Sequence, residues 1–187
     1  LDSLLGLQPA FTKLQLLDAE DRILTRANRL PLMAPDDFAD QLDGGVLARL
    51  HRQERYISPV YIDPATSDPM ILLALPVNDV FGDFQGTLAA EVDLKFMWEL
   101  VDQLKVGETG HAYVVDRGGN LIAFGDTTRV LRGENVGSLE AVRAFRQAPA
   151  ADPAGGVILS RGIDGTIVAG TYVPLGTPDW AVVTELP

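Results

Sequence analysis

The sequence predicts an α+β chain of two tandem halves. Each half is a five-stranded antiparallel sheet with a helical excursion after its second strand, and a helix joins the two. Three observations carry this. The chain states one plan twice: His111-Ala112-Tyr113-Val114-Val115-Asp116, a turn at Arg117 to Asn120 and then Leu121-Ile122 repeat Leu14-Gln15-Leu16-Leu17-Asp18, a turn at Ala19 to Arg22 and then Ile23-Leu24. The repeat continues downstream. Pro76 after Leu73-Ala74-Leu75 relates to Pro174 after Thr171-Tyr172-Val173 by the offset that relates Asp18 to Asp116. Gly82 relates to Gly176, and Glu91 to Glu185, by a shorter offset, the difference falling in Asn78 to Phe81, a loop where insertions are tolerated. The third observation is helical: Leu94, Met97, Trp98, Val101 and Leu104 share one face, with Asp93 as N-cap, Lys105 near the negative end and Gly107 to close. The halves are therefore 1–93 and 107–187, with the helix at 94–106.

Taken in order, Leu1 to Leu7 reads as the end of a helix, stopped at Gln8-Pro9 because the residue before proline avoids the helical region. Phe11 to Asp18 and Asp21 to Ala27 are a hairpin. Asn28 to Asp43 is irregular, broken by Pro31, Pro35 and Asp36-Asp37, and Val46 to Arg52 supplies a turn or two of helix with Val46, Leu47 and Leu50 on one side. Tyr56 to Ile62 is a strand interrupted by Pro59. Asp63 to Asp68 is a loop. Pro69 to Val77 is apolar throughout, as in a strand covered on both faces, and Gly86 to Asp93 follows after a turn at Asn78 to Phe84. In the second half, His111 to Gly125 is a hairpin, Asp126 to Gly137 a polar loop, and Leu139 to Gln147 a short helix capped by Ser138. After a Pro/Ala/Gly loop at Ala148 to Gly156 come strands at Val157 to Arg161, Thr166 to Val173 and Trp180 to Leu186, the first two turning at Asp164-Gly165.

Composition bounds the function. The chain has 187 residues, 47% hydrophobic and 22% charged, with a formal net charge of -11 and no cysteine. A phosphate-neutralising surface needs clustered Lys and Arg, so nucleic acid is excluded as a partner. Thiolate metal sites, disulfides and a Cys nucleophile are excluded. The two isolated histidines, His51 and His111, make no metal site. No Gly-x-Ser-x-Gly elbow, His-Glu-x-x-His or phosphate loop is present, so no enzyme is expected, and neither a cofactor nor a catalytic residue. No run approaches the ~18 apolar residues of a membrane span, and no signal peptide is visible. The opening Leu1-Asp2-Ser3-Leu4-Leu5, apolar at helical spacing without a cap, reads as a piece cut from a longer protein.

Five strands with a helical insertion after the second is the plan of a PAS-like sensor module, whose excursion closes a pocket over one sheet face. Val106 to Asp116 followed by Gly119-Asn120-Leu121-Ile122-Ala123 resembles the start of the membrane-proximal module of a double Cache domain. Tyr56 to Asp63, followed by Leu73-Ala74-Leu75-Pro76-Val77 and by Gly86 to Leu94, resembles the distal module running into the connecting helix. The resemblance covers nearly the whole chain. It implies an extracytoplasmic sensor region of a bacterial or archaeal membrane receptor, a histidine kinase, chemoreceptor or nucleotide cyclase. Such a region binds a small metabolite in the distal module and passes a conformational change to the membrane, touching it only through flanking spans. Trp180 to Pro187 fits the exit toward such a span, whereas the long first helix usual in the family is mostly absent. The exposed sheet would then need another cover, as in a homodimer. A structural or dimerisation domain without a small-molecule ligand is the alternative.

The resemblance also implies site residues. Amino-acid-binding members use an Arg and aromatics from the excursion, a Tyr-x-Asp pair near the third strand and an acid on the fifth. Tyr61 and Asp63 match the pair, and Glu91 the acid, with Asp93 competing. Tyr56 and Ser58 flank them. The Arg-x-Trp-Tyr element is missing; of Arg26, Arg29, Arg49 and Arg52, none sits in that motif, and Arg29 is taken as the candidate. That departure points away from an α-amino acid and toward another small metabolite, anions included. Structural roles compete throughout: Tyr61, Tyr56 and Ser58 as strand residues, Asp63 as a turn residue, and Glu91, recurring as Glu185, as a feature of the fold.

Overall fold

The computed structural model describes residues 1–7, 9–29, 38–64, 66–104, 106–107, 109–149, 155–176 and 178–187, without the side chains of 39 and 40. The helix stop at Gln8, the breakers Pro31, Pro35 and Asp36-Asp37, Lys105 at the helix end and the Ala150 to Ala154 part of the Pro/Ala/Gly loop lie outside the described residues. The chain divides into two compact units, Leu1–Lys95 and Phe96–Pro187.

The first unit contains α1 (Asp2–Leu7), β1 (Phe11–Asp18), β2 (Ile23–Asn28), α2 (Phe38–Gln41), α3 (Gly44–His51), β3 (Tyr56–Ile57), β4 (Tyr61–Ile62), β5 (Pro69–Asn78) and β6 (Phe84–Asp93). The sheet runs β2-β1-β6-β5-β3, and β4 also pairs with β5. This makes six strands where five were expected. Pro59 has no N–H and holds its predecessor extended, so the third strand splits around it. Ser58 bridges the gap: its N–H donates to Leu72 O (2.9 Å), and its hydroxyl accepts from Leu72 N (2.8 Å). α3 starts where Asp43 accepts a hydrogen bond from Val46 N.

The alternation of β5 and β6 separates two cores. Leu72, Ala74 and Ala89 meet Leu17 on one face, under Phe38, Leu42, Val46 and Leu50 of the excursion. On the other face Leu14, Ala27 and Ala90 pack against Leu5 of α1. The apolar run of β5 is thus covered on both sides.

The second unit holds α4 (Lys95–Gln103, except Lys95), β7 (His111–Asp116), β8 (Leu121–Phe124), α5 (Thr127–Leu131), α6 (Glu140–Gln147), β9 (Ile158–Arg161), β10 (Ile167–Pro174) and β11 (Trp180–Leu186). Its sheet runs β8-β7-β11-β10-β9. Three expectations are corrected. The joining helix runs Lys95–Gln103 rather than 94–106; Asp93 accepts from Lys95 N and fixes its first turn. The polar loop after Gly125 contains α5, made by an Asp126 side chain that accepts from Thr128 N. The N-cap of α6 is Leu139, with no side-chain cap hydrogen bond, so Ser138 does not cap it. Instead Phe145 and Val142 anchor it, Phe145 tilted against Tyr172 at 5.7 Å between ring centroids.

The repeat is exact to the register. Lys13 stands opposite Glu91 as His111 stands opposite Glu185, and Leu72 opposite Glu91 as Gly170 opposite Glu185. Both first hairpins carry an irregularity at the same place, Leu16/Leu17 and Val114/Val115. Both close through the aspartate side chain: Asp18 Oδ1 accepts from Arg22 N (2.9 Å) and Asp116 Oδ1 from Asn120 N (2.8 Å). Asp21 and Gly119 both take positive φ, 62° and 86°.

Two glycines separate strain from crowding. At Gly82 (φ +92°) an added Cβ meets nothing within 4 Å, whereas at Gly86 it would lie 2.0 Å from Leu17 O across the β1–β6 ladder. Gly82→Ala is expected to cost about 1–2 kcal/mol in urea denaturation. Gly86→Ala is expected to cost clearly more, because the ladder itself must part.

Candidate functional site

The site is built around one carboxylate. Glu91 lies on β6, facing the excursion, 3% exposed. β1 bulges where it passes, Phe11 pairing with Val92 and Lys13 with Glu91, so that Thr12 and Lys13 both reach the acid. Thr12 Oγ1 donates to Oε2 at 2.8 Å. The Lys13 ammonium bridges both oxygens, at 3.4 Å from Oε1 and 3.2 Å from Oε2. Tyr61 on β4 donates its hydroxyl to Oε1 at 2.7 Å. Gln41, at the end of α2, hydrogen-bonds the same Tyr61 hydroxyl, and its Oε1 is buried without a partner among the described residues. Burial, then the hydrogen bond to Glu91, pushes the Tyr61 hydroxyl far above the usual phenol range.

Of the expected residues, Tyr61 and Glu91 are thus brought together. The others have described contacts elsewhere. Tyr56 packs against the excursion core with the Arg49 guanidinium 5.7 Å from its ring centroid. Ser58 is spent on the backbone, donating also to Pro59 O. Asp63 is buried and closes the loop before β5: its N–H donates to Asp68 O, and its Oδ1 accepts from Thr66 N at 3.4 Å. Asp93 serves the first turn of α4. Arg29 donates to Phe11 O and to Leu5 O, tying α1 to the sheet. Sequence reasoning missed Thr12, Lys13 and Gln41. Lys13 was findable, since the repeat sets it against His111 and the hairpin register sets both against the recurring glutamate. The bulge that recruits Thr12 leaves no mark in residue type.

The second unit has the same acid differently dressed. Glu185, 2% exposed, accepts from Tyr113 Oη at 2.6 Å and from Ile163 N at 2.8 Å. A Cβ at Gly162 would sit 2.4 Å from its Oε2, so the backbone closes over it. His111 turns to Asp164 (2.7 Å) rather than to Glu185, and Arg129 pairs with Glu134 and Asp164. Burial first, then the bond to Glu185, pushes the Tyr113 hydroxyl far up. Among the described residues no group of three His, Cys, Asp or Glu could hold a metal ion.

This duplicated sheet, with a buried strand-end acid under each excursion, has a family counterpart along its whole length: the Cache domain matches residues 1–187. The chain belongs to the Cache domain family. Solved structures share the Cache architecture. The ligand-binding domain of the amino-acid chemoreceptor PctC of Pseudomonas aeruginosa PAO1, in complex with GABA, is 22% identical over 95% of this chain and 75% of that one, with a TM-score of 0.61. The extracellular domain of mmHK1S-Z2, classed as a histidine kinase, is 17% identical over 99% of this chain and 78% of that one, with a TM-score of 0.69. The ligand-binding domain of PctB from the same Pseudomonas, in complex with L-Gln, is 18% identical over 98% and 70%, with a TM-score of 0.62. At such identities the likeness is one of fold. No curated protein matches the sequence.

The buried tyrosines make a pH prediction. A phenol whose native pKa is raised stabilises the fold fully below its unfolded value of about 10. That stability drains as pH rises toward the native value, because only the unfolded chain has released the proton. For Tyr113 the loss is at most about 1.4 kcal/mol per pH unit; partly exposed Tyr61 contributes less. Tyr113→Phe is expected to be less stable than wild type at pH 8 and to close the gap above pH 10. Urea denaturation at both pH values measures it.

Proposed function

We propose that this chain is the extracytoplasmic ligand-sensing region of a transmembrane signalling receptor, of the histidine kinase or chemoreceptor kind. In this reading the first unit is membrane-distal and binds a small metabolite at Tyr61, Lys13 and Gln41 around Glu91. The second unit is membrane-proximal. Binding shifts the population between two arrangements of the sensor, with no chemistry on the ligand. The observation that carries it is the asymmetry of the repeated acid. Glu185 is sealed by a backbone amide and Gly162, whereas Glu91 is met by a flexible lysine and by Tyr61, whose hydroxyl is also bonded by Gln41, a glutamine with an Oε1 that is buried without a partner among the described residues. A buried acceptor without a partner among the described residues is a group that a ligand donor can satisfy. Support also comes from relatives of the same fold: PctC is a chemoreceptor domain with GABA bound, and mmHK1S-Z2 supplies an extracellular domain. No helix among the described residues is long and apolar enough to cross a membrane.

A thermal-shift screen against amino acids, carboxylic acids, amines, sugars and purines tests this. A ligand that binds only the folded state at a hundredfold over its Kd adds about 2.7 kcal/mol of stability. The expected result is a hit whose shift is lost in Tyr61→Ala. A well-folded protein with no hit at millimolar concentration, or a hit indifferent to Tyr61→Ala, contradicts the assignment. The first outcome would leave a structural or dimerisation role.

A further inference from the structure

We propose that the tip of the β5–β6 hairpin is a docking finger for a second protein, which takes Val80 and Phe81 into an apolar recess with a rim of Lys or Arg. The finger is separate from the site around Glu91 and does not depend on what that site binds.

Val80 is 92% and Phe81 87% exposed, more than any other large apolar side chain among the described residues. The fold does not require them there. Pro76 pairs with Thr87 where, in the second unit, Pro174 pairs with Ala181, so the first hairpin is the longer, and both side chains lie in the added length. The hairpin also outreaches its own sheet: the β1–β6 ladder ends at Asp18 and Gly86, while β5 and β6 pair on to Asn78 and Phe84. β6 then runs about 30 Å to Asp93, so the tip is clear of the point where the chain leaves the first unit.

The tip is braced. The Asp79 carboxylate accepts from the N–H of Phe81 (2.8 Å) and of Asp83 (3.0 Å), and Gly82 takes φ +92° to close the turn. Gln53, just past α3, donates to Gly82 O (3.3 Å) and accepts from the Asn78 amide (2.6 Å), at a positive φ of its own, 68°. Phe84, at the base, packs on His51 with 4.5 Å between ring centroids. Two apolar side chains held outward on a fixed frame lose little entropy on docking, and an aromatic seated in a pocket is an anchor of interface affinity. Charge then selects the occupant. Arg49 and Arg52 pair with Glu54, and His51 with Asp21, so among the described residues no cation pairs with Asp79 or Asp83. From Asn78 to Leu94 there is no Lys or Arg. Two uncompensated acids beside the apolar pair repel an anionic bilayer, and they repel a second copy of a chain whose net charge is -11. They complement a recess with a cationic rim.

Photocrosslinking followed by titration tests this. The whole protein, in the cells that make it, carries p-benzoylphenylalanine in place of Phe81, and the crosslinked product is identified by mass spectrometry. A protein captured there is purified and titrated with the chain by calorimetry. Direct binding is expected, and Val80→Ser/Phe81→Ser is expected to weaken it about tenfold or more. The melting temperature of that variant is expected to match wild type, because neither side chain is packed in the fold. Asp83→Lys is expected to slow association about threefold or more at low salt, and less at high salt. A captured protein that fails to bind once purified, or that binds Val80→Ser/Phe81→Ser as tightly as wild type, overturns the proposal. So does a crosslink only to lipid or to a second copy of this chain, and so does the absence of any crosslink. An association rate unmoved by Asp83→Lys overturns the cationic rim. None of these readouts requires a ligand at Glu91, so the sensor reading stands or falls separately.

Discussion

A buried carboxylate on the last strand of each unit constrains everything around it. Stripping an acid of water costs several kcal/mol unless donors replace the water. Each unit must therefore deliver hydrogen-bond donors to one point on its sheet. The first unit does so by bulging β1 to bring Thr12 and Lys13 in, and by breaking its third strand at Pro59 so that β4 carries Tyr61 to the same oxygen as Lys13. The second unit draws on β7 for Tyr113 and on the β9–β10 turn for the Ile163 amide. The acid recurs at the same register, yet the tyrosine that answers it comes from a different strand in each unit.

That difference separates a site from a structural support. Around Glu185 the donors are neutral and rigid, and the glycine at 162 brings backbone onto the acid. Around Glu91 one donor is a long, charged side chain with donors to spare, and a neighbouring amide oxygen has no protein partner among the described residues. The arrangement stabilises the first unit without saturating its polar groups. Polar groups left over at a protected spot are what a binding site consists of at the level of single atoms.

Much of this was legible in the sequence because it depends on period and on turn chemistry. The duplicated Asp-turn-apolar pattern at Asp18 and Asp116 is read directly, since the aspartate closes each turn with its own side chain and Asp21 or Gly119 takes the positive φ. The recurrence of Glu91 as Glu185 follows from the same alignment. The convergence on Glu91 was not legible. Whether Lys13 points to the excursion side depends on a bulge, and Ser58, Tyr61 and Asp63 look alike as polar-tipped residues around Pro59 and Pro64. The structure spends Ser58 and Asp63 on backbone and turn, and Tyr61 on the acid. α5 escaped for a related reason: five residues after an Asp cap are too few for a hydrophobic period to show.

The central claim is that Lys13 neutralises Glu91 within the fold, and a double-mutant cycle tests it most directly. Urea denaturation of wild type, Lys13→Met, Glu91→Gln and the double variant gives the coupling energy. The account predicts about 1–3 kcal/mol, with the double variant more stable than the sum of the single losses implies. A coupling near zero would mean that Thr12 and Tyr61 hold Glu91 without Lys13, and the description of the site given above would be contradicted.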